Sequence, residues 1–356
     1  MQMLGIETSC DETSAAVVEE RDGTWTMRSN IVSSQVNIHR DWGGVVPELA
    51  SRQHIRDICG VVRSSLDTAG VDWAGIDAVA VTQGPGLVGS LLVGVSFAKS
   101  VAWSLSRPLV PVHHLAGHVE SLFLEQGRTD SIPLPLVTLV VSGGHTSLYV
   151  VREPGSYERV GRTRDDAAGE AYDKVAKLLG LGYPGGPIVD RLAREGNDQA
   201  IDLPATRMTH ADRNAPSMKG DLDFSFSGLK TAVMRFVRGR AAADPRAAGV
   251  ALSPGEIADV CASFQRVVAT TLLDRLFDAA ERFGARSVGI AGGVSANSRL
   301  REDLVERGRR DGLPVFIPRI SLSTDNAAMI AAAGLRNFHA GVRAGWNLNA
   351  DPSLEL

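Results

Sequence analysis

Two histidines one helical turn apart are the first residues of this sequence whose types and spacing could do chemistry. His114 and His118 are separated by Leu-Ala-Gly, and residues four apart on a helix share one face, about 6 Å from each other at the backbone. Two imidazoles so placed can chelate one divalent cation with a third ligand from elsewhere. The alternative is a pair of surface or hydrogen-bonded histidines. Apolar residues of the same segment predict a separate buried stripe, which leaves the histidines free to face a cleft: Leu115, Val119, Leu122 and Phe123.

The histidine pair does not fit a zinc protease. Such enzymes need a glutamate directly after the first histidine, because that carboxylate activates the attacking water. In this chain the position is Leu115. The general base of a metalloprotease is therefore missing.

Glycine-rich loops are the second chemical signal. They are the segments 141–146 (VSGGHT), 183–187 (YPGGP) and 291–297 (AGGVSAN). Glycine lets backbone N–H groups approach a phosphate or carbonyl oxygen closely, and a loop between a strand and a helix offers an anion the helix N-terminus. Tight turns use the same residues, but three such loops in one chain predict a nucleotide site. None of them is a Walker A or G-x-G-x-x-G motif, which excludes ordinary P-loop and Rossmann proteins.

Five carboxylates lie beside these features. Asp11 and Glu12 are in the first polar loop, Asp173 and Asp190 flank the Pro-Gly-Gly turn, and Asp325 precedes the last helix. Two of them have a structural alternative: a solvated helical face would explain Asp173, and an N-cap would explain Asp325.

The bulk composition of the 356-residue chain bounds its class. The length favours about two domains, and 44% apolar with 22% charged residues is typical of a globular protein. The formal net charge of −4 argues against binding nucleic acid by global electrostatics alone, although a local basic strip or a partner subunit could meet such a substrate. Three widely spaced cysteines, and no segment typical of a secretory signal or a membrane span, favour the cytoplasm.

A duplicated unit is predicted to position these residues. Segments 3–30 and 134–162 share one plan of strand, small-residue loop, strand, glycine turn and strand. Their polar loops could face each other across a cleft; chance similarity is the alternative. Further strands are predicted at 77–82, 109–112, 287–291 and 315–317, and helices at 87–106, 114–126, 256–283 and about 323–340. This alternation predicts a largely parallel sheet in each lobe, with a long irregular loop at 204–224.

Nine sequence blocks, taken together, resemble those of one family, and they cover nearly the whole chain. They are GIETSCDET at 5–13, GGVVPELASR at 43–52, GPGLVGSLLVG at 84–94, PVHHLAGH at 111–118, LVVSGGHT at 139–146, DDAAGEAYDKVAKLLGLGYPGGP at 165–187, FSFSGLKTAV at 224–233, AGGVSANSRLR at 291–301 and STDNAAMIA at 323–331. Blocks of this length in this order are similar to the bacterial tRNA threonylcarbamoyladenosine transferases, once catalogued as O-sialoglycoprotein endopeptidases.

The resemblance implies a fold and a reaction. The fold is the α/β, actin/Hsp70/sugar-kinase-like duplicated two-lobed fold with a ligand cleft between the lobes. We expect residues 1–135, completed by 325–356, to form the N-terminal lobe and residues 136–324 the second, nucleotide-side lobe. The reaction moves threonylcarbamoyl from threonylcarbamoyl-AMP to N6 of the adenosine beside the anticodon, in tRNAs that read codons beginning with A. The alternative is an ATP-dependent small-molecule kinase or ATPase of the same fold.

The resemblance also carries site residues onto this chain. Three residues match the family's metal ligands: His114, His118 and Asp325. Nine match its substrate-binding positions: Val140, Val141, Ser142, Gly143, Gly144, Asp173, Gly186, Asp190 and Asn297. Asp11 and Glu12 are candidates for orienting the incoming amine, without a firm assignment as catalytic residues. In archaeal and eukaryotic relatives a tyrosine at position 140 can join the metal site, whereas this chain has valine. Some bacterial relatives have serine at position 190.

Cofactor and partners follow from the same resemblance. One divalent metal per subunit is expected; two imidazoles and a carboxylate suit Fe²⁺ and Zn²⁺ alike, and the family favours Fe²⁺. The expected partners are tRNA, threonylcarbamoyl-AMP, a paralogous subunit of the same fold and a small P-loop ATPase, with no membrane. Arginine-containing segments near 207–213 and 235–240 are candidates for contacting tRNA.

Overall fold

The computed structural model describes residues 1–208, 220–243 and 252–356. The chain divides into unit 1, which contains Met1–Pro133, Val151–Tyr157 and Pro318–Leu356, and unit 2, which contains Leu134–Val150 and Glu158–Ile317. The chain enters unit 2 two residues before the expected boundary at 136 and returns to unit 1 seven residues before the expected residue 325. Part of the predicted loop at 204–224 and of the arginine segment at 207–213 lies outside the described residues.

The elements alternate as the hydrophobic pattern predicted. The strands are β1 (Gln2–Glu7), β2 (Glu12–Arg21), β3 (Thr24–Ser34), β4 (Ala78–Gly84), β5 (Leu109–His113), β6 (Leu136–Val141), β7 (Thr146–Val151), β8 (Glu158–Arg162), β9 (Ser287–Ala291) and β10 (Val315–Phe316). The helices are α1 (Val36–His39), α2 (Pro47–Ala69), α3 (Val88–Leu105), α4 (His114–Gln126), α5 (Ala168–Leu178), α6 (Gly185–Ala193), α7 (Ser227–Ala243), α8 (Pro254–Arg282), α9 (Ser298–Asp311), α10 (Ile320–Ser323) and α11 (Ala327–His339).

Each unit contains one five-stranded sheet, and the two sheets have the same topology. The order is β3-β2-β1-β4-β5 in unit 1 and β8-β7-β6-β9-β10 in unit 2. The first three strands of each sheet therefore match the duplicated segments of the sequence, and the duplication is confirmed. The expectation of largely parallel sheets is wrong in part: β1, β2 and β3 pair antiparallel, as do β7 and β8, while β1-β4-β5 and β6-β9-β10 pair parallel. Tight turns join the antiparallel strands, because a hairpin needs no crossover helix.

Unit 1 has a core in which helices cover its sheet. The helix α11 contacts β1, β2, β4 and α4, and α2 contacts β2, β3 and α3. By length and composition α3 could cross a membrane, but it packs on α2 and β4 and buries Leu91, Val95 and Ala102. Lys99 of the same helix donates to the Leu348 carbonyl at 3.1 Å. The helix α3 therefore packs on unit 1 along one face, and 33% of it is buried.

Unit 2 has its own core between its sheet and the long helix α8. A capping box at Ser253 and Glu256 starts this helix, because each side chain bonds the backbone N–H of the other. The predicted apolar face of the helix is buried in the core, with Phe264, Leu272 and Leu276 fully covered. The packing of α8 on α6, α9 and β6 fixes the loops at the ends of β6 and β9.

Candidate metal centre and nucleotide-binding surface

The two histidines of the sequence pattern lie on α4, immediately after β5. His113 ends the strand, and its ring nitrogen Nδ1 caps the helix by accepting the Leu115 N–H at 3.1 Å. His114 then opens the helix and His118 follows one turn later. The sequence predicted a separate buried stripe on this helix, but every residue from 114 to 124 is buried. The imidazoles therefore belong to the interior of unit 1, where an unsatisfied nitrogen is costly.

Asp325 reaches the histidines from the far end of the chain. The sequence predicted a helix start near 323–325, whereas the helix begins at Ala327 with Asn326 as the N-cap, whose Oδ1 accepts the Met329 N–H at 3.1 Å. The Ala327 N–H donates to the hydroxyl of Ser14 in β2 at 2.8 Å. Asp325 thus lies just before the N-cap residue and does not cap the helix.

The three side chains converge on one point. Oδ1 of Asp325 lies 3.2 Å from Nε2 of His118 and 3.5 Å from Nε2 of His114, and all the potential ligand atoms lie within 4.8 Å of one another. Tetrahedral ligands with metal bonds of about 2.0–2.1 Å would be separated by about 3.3 Å. Nδ1 of His118 is buried without a hydrogen bond to any described residue, while its Nε2 faces the Asp325 carboxylate. An orphaned buried imidazole that faces a carboxylate fits a metal ligand set.

A second carboxylate, that of Glu7, contacts His114 on the ring nitrogen that does not face Asp325; the sequence analysis missed it. Oε2 of Glu7 lies 3.0 Å from Nδ1 of His114, and the Ser9 hydroxyl lies 3.2 Å from the same nitrogen. Glu7 is fully buried at the end of β1. A signal was present in the sequence: an acidic residue follows an apolar strand directly, and such a side chain is buried only when it is paired.

Opposing effects set the protonation of this cluster. Burial disfavours the charged form of Asp325, but the charges and hydrogen bonds of both histidines outweigh burial and hold its pKa well below the ordinary value. Burial lowers the pKa of His114, but Asp325 and Glu7 outweigh that effect and raise it well above its ordinary value. Burial, together with the charge of His114, lowers the pKa of His118. A cation bound at this point would take the place of the proton that Asp325 and Glu7 hold on His114.

The loop with Asp11 and Glu12 borders the same centre. Burial, followed by the charges of Asp11 and Asp325, raises the pKa of Glu12 well above its ordinary value. The buried side chain of His54, another residue that the sequence analysis missed, donates from Nε2 to the Cys10 carbonyl at 2.9 Å and accepts at Nδ1 from the Thr13 hydroxyl at 2.8 Å. His54 therefore fixes this loop by hydrogen bonds to the residues on either side of Asp11 and Glu12.

In unit 2 two of the three predicted glycine loops, 141–146 and 291–297, lie at the carboxyl ends of the parallel strands β6 and β9. A Cβ on Gly292 would meet the Val141 carbonyl oxygen at 2.5 Å, so the two loops touch. Val140 is fully buried, and Ser142 closes its loop by donating its N–H to the His145 carbonyl at 2.8 Å. Gly143 and Gly144 are exposed. Adjacent parallel strand ends of this kind are where α/β sheets bind ligands.

Helix N-termini join the same surface. The Asp173 carboxylate in α5 accepts the Gly185 N–H at 2.7 Å and so holds the N-terminus of α6, where Gly186 faces open space. Asp190 accepts the Ser298 hydroxyl at 2.8 Å. Contacts thus connect Asp173 to the start of α6 and Asp190 to the start of α9. Such helix starts attract anions.

Asn297 has a structural task in this surface. Its Oδ1 caps α9 by accepting the Leu300 N–H at 3.0 Å, and its Nδ2 donates to Gln265 at 2.8 Å and to the Tyr172 hydroxyl at 3.4 Å. The side-chain amide is therefore engaged within the protein. Asn297 shapes the loop that follows β9.

Comparisons with known proteins show the family of this chain. The family model described as tRNA N6-adenosine threonylcarbamoyltransferase matches residues 26–332. Curated relatives with this name include one from an Anaeromyxobacter species, 50% identical over 100% of both chains, and one from Moorella thermoacetica, 49% identical over 99% of this chain and 97% of the relative.

Among solved structures, the fold of this chain is similar to that of full-length HypF in its phosphate- and nucleotide-bound form. The TM-score is 0.57 at 13% identity, over 95% of this chain and 46% of that one. The relatives are transferases by name, which gives no support to the alternative of a kinase. The described fold and the full-length match together identify the chain as a member of the tRNA N6-adenosine threonylcarbamoyltransferase family, an acyltransferase with an actin/Hsp70/sugar-kinase-like fold.

Proposed function

We propose that this enzyme transfers the threonylcarbamoyl group from threonylcarbamoyl-AMP to N6 of the adenosine adjacent to the anticodon, in tRNAs that read codons beginning with A. The observation that carries the proposal is the convergence of His114, His118 and Asp325 within 4.8 Å in a chain whose relatives bear this activity in their names. A kinase of the same fold would not need buried imidazoles. An acyl transfer uses such a centre to stabilise charge at a carbonyl.

The donor is a mixed anhydride with AMP as its leaving group, and the exocyclic amine of adenine is a weak nucleophile. Catalysis should therefore rest on positioning and on electrostatic stabilisation. In unit 2 the backbone of the exposed residues Gly143 and Gly144 is suited to phosphate or carbonyl oxygens. Asp173 and Asp190 are suited to accept hydrogen bonds from ribose hydroxyls. Asn297, through its cap on α9, keeps the loop beside the adenosine end in place.

The centre in unit 1 would hold one divalent metal on His114, His118 and Asp325. A cation bound there supplies Lewis-acid polarisation of the carbamoyl carbonyl. Two imidazoles and one carboxylate suit Fe²⁺ and Zn²⁺ alike; the family resemblance favours Fe²⁺, so Fe²⁺ is our first candidate and Zn²⁺ the second. Elemental analysis of protein purified without oxygen decides between them. Asp11 and Glu12, which border this centre, are candidates for orienting the incoming amine.

The test replaces His114 with alanine and measures bound metal and transfer from preformed donor. We expect both to be lost. The control is His39→Asn, since His39 is an equally buried histidine of unit 1 whose Nε2 contacts Gln35 at 3.2 Å, away from the metal ligands; this variant should keep its metal. Full transfer by His114→Ala protein without metal would refute the assignment.

The cellular test is mass spectrometry of tRNA nucleosides after depletion of this protein. Threonylcarbamoyladenosine should disappear. Its persistence, in cells that have no substitute enzyme, would contradict the proposed reaction. The measurement reports the product itself and so does not depend on the metal.

We also propose three macromolecular partners: tRNA, a paralogous subunit of the same fold and a small P-loop ATPase. Support for tRNA binding comes from Arg235 and Arg238, which are exposed on α7, since cations that face solvent are suited to phosphates. Support for a protein partner comes from exposed apolar side chains on α2 and α3: Ile55, Val88 and Leu92. Ile55→Asp should abolish co-purification of the paralogous subunit while leaving metal content intact, and an unchanged complex would place that interface elsewhere.

A further inference from the structure

Glu7 is a buried carboxylate in a place where the fold alone does not need one. It ends β1, whose preceding residues Leu4 and Ile6 are completely buried apolar side chains, and Glu7 itself has no exposed surface. Burying a carboxylate costs several kcal/mol unless hydrogen bonds and an opposite charge compensate. The partners of Glu7 therefore indicate what it is for.

The contacts of Glu7 determine the orientation of one imidazole. Its carboxylate accepts the Ser9 N–H through Oε1 and the Thr82 hydroxyl through Oε2 at 2.7 Å. Oε2 also lies 3.0 Å from Nδ1 of His114. A carboxylate can only accept hydrogen bonds, so Nδ1 of His114 must donate and carries a hydrogen. The lone pair of the neutral ring is then on Nε2, the nitrogen that faces Asp325 at 3.5 Å.

We propose that Glu7 is a positioning residue of this transferase: it fixes the ring and the tautomer of His114 so that Nε2 is presented to the metal. The inference rests on the proposed metal site. A histidine ligand whose other nitrogen donates to a carboxylate is a better and more rigid ligand, and loss of the carboxylate typically costs 10–100-fold in metal affinity. Thr82, from the neighbouring parallel strand β4, holds the carboxylate in turn.

A purely structural role is the competing explanation, and Glu120 supplies a matched control. Glu120 is also fully buried, and it lies on α4, the helix that carries both histidines. Its partners are Arg336, with Nη2 at 2.9 Å, and the Tyr157 hydroxyl at 2.7 Å. Replacing Glu120 therefore disturbs the same helix to a similar depth without touching an imidazole.

The experiment compares Glu7→Gln, Thr82→Val and Glu120→Gln in the full-length protein. Affinities for Fe²⁺ and Zn²⁺ are measured by competition with a chelator without oxygen, and the free energy of unfolding is measured alongside. We expect Glu7→Gln to lose 10–100-fold in metal affinity. Thr82→Val, which removes one hydrogen bond from the same oxygen, should lose less. Glu120→Gln should lose stability and keep its affinity for metal.

The outcomes separate the inference from the proposed function. If the wild-type protein binds metal and Glu7→Gln binds it equally well, or if Glu7→Gln and Glu120→Gln weaken binding alike, Glu7 is not a positioning residue. If Glu7→Gln does not fold, Thr82→Val decides, and unchanged metal affinity in that variant overturns the inference. If the wild-type protein binds no metal, the proposed metal centre itself fails.

Discussion

A methyl group added at Gly5 should displace the metal centre without altering any ligand. Gly5 lies in β1 under α11, and a Cβ there would be 2.3 Å from the Ala327 carbonyl oxygen and 2.8 Å from the Ala331 nitrogen. Ordinary contacts begin at 3.4 Å, so strand and helix must separate by about 1.1 Å, the difference between 3.4 and 2.3 Å. Both clashing atoms are backbone atoms, so a change of rotamer cannot relieve them.

We expect Gly5→Ala to lower the free energy of unfolding by about 2 kcal/mol, within the usual cost of overpacking. The larger effect should be on function, because Asp325 lies just before α11 whereas Glu7 lies in β1. A displacement of about 1 Å in such a centre can cost about 100-fold in rate. Metal affinity and transfer from preformed donor should therefore fall much further than the stability loss suggests.

The control for this prediction is Gly60→Ala. Gly60 lies on α2, is exposed, and a Cβ there would have no heavy atom within 4 Å. Alanine in a helix interior should stabilise the protein by about 0.5–1 kcal/mol and leave metal binding unchanged. Chemical denaturation and chelator competition provide both measurements. A Gly5→Ala protein with wild-type stability and wild-type metal affinity would refute the packing argument.

Three further perturbations test other parts of the structure by chemical denaturation. Glu12→Gln should stabilise the metal-free protein in alkaline solution. Burial and Asp11 raise the pKa of the Glu12 carboxyl group, so the folded wild-type protein loses stability as the pH rises from the ordinary pKa of this group to its pKa in the folded state. Equal pH profiles of the free energy of unfolding for variant and wild type would contradict this. Hydrogen bonds from Lys174 and Lys230 outweigh burial and lower the pKa of Asp166. Asp166→Asn should therefore lose stability at neutral pH, and the deficit should shrink as the pH falls through the carboxyl pKa; a constant deficit would argue against the ion pairs. Asn297→Ala should cost about 1–2 kcal/mol through the lost cap and weaken AMP binding, and unchanged AMP affinity would remove this loop from the nucleotide surface.

The local pattern of the sequence was sufficient for part of the elements, although the long helix α2 was not predicted. The predicted helix at 114–126 is α4, and the predicted strand at 287–291 is β9. The duplication was visible because strand, loop and turn recur in the same order in both units. Periodicity and turn residues act over a few positions, which is why these features can be recognised without a structure. The histidine pair belongs to this class, since two residues four apart share a helix face whatever surrounds them.

Contacts between distant segments were decided only by the tertiary structure. Asp325 meets His118 because α11 packs on α4 and β1, and nothing local in either segment specifies that packing. In the sequence alone Glu7 is only the polar residue at the end of a strand. The parallel register of β1 and β4, which pairs Ile6 with Val81, places Thr82 beside it. The start of the last helix was misjudged for a related reason: several adjacent residues were suitable caps, and the Ser14 hydroxyl on the neighbouring sheet favours a helix beginning at Ala327.

The residue types of the site and the elements that carry them are thus properties of the sequence. Their convergence is a property of the fold, because side chains more than 200 residues apart are brought together by sheet register and helix packing, which depend on the burial of the whole core. The fold also decides which groups support the histidines. The buried carboxylate of Glu7 takes its role from the donors around it, and these include Thr82 on β4 and His114 on α4.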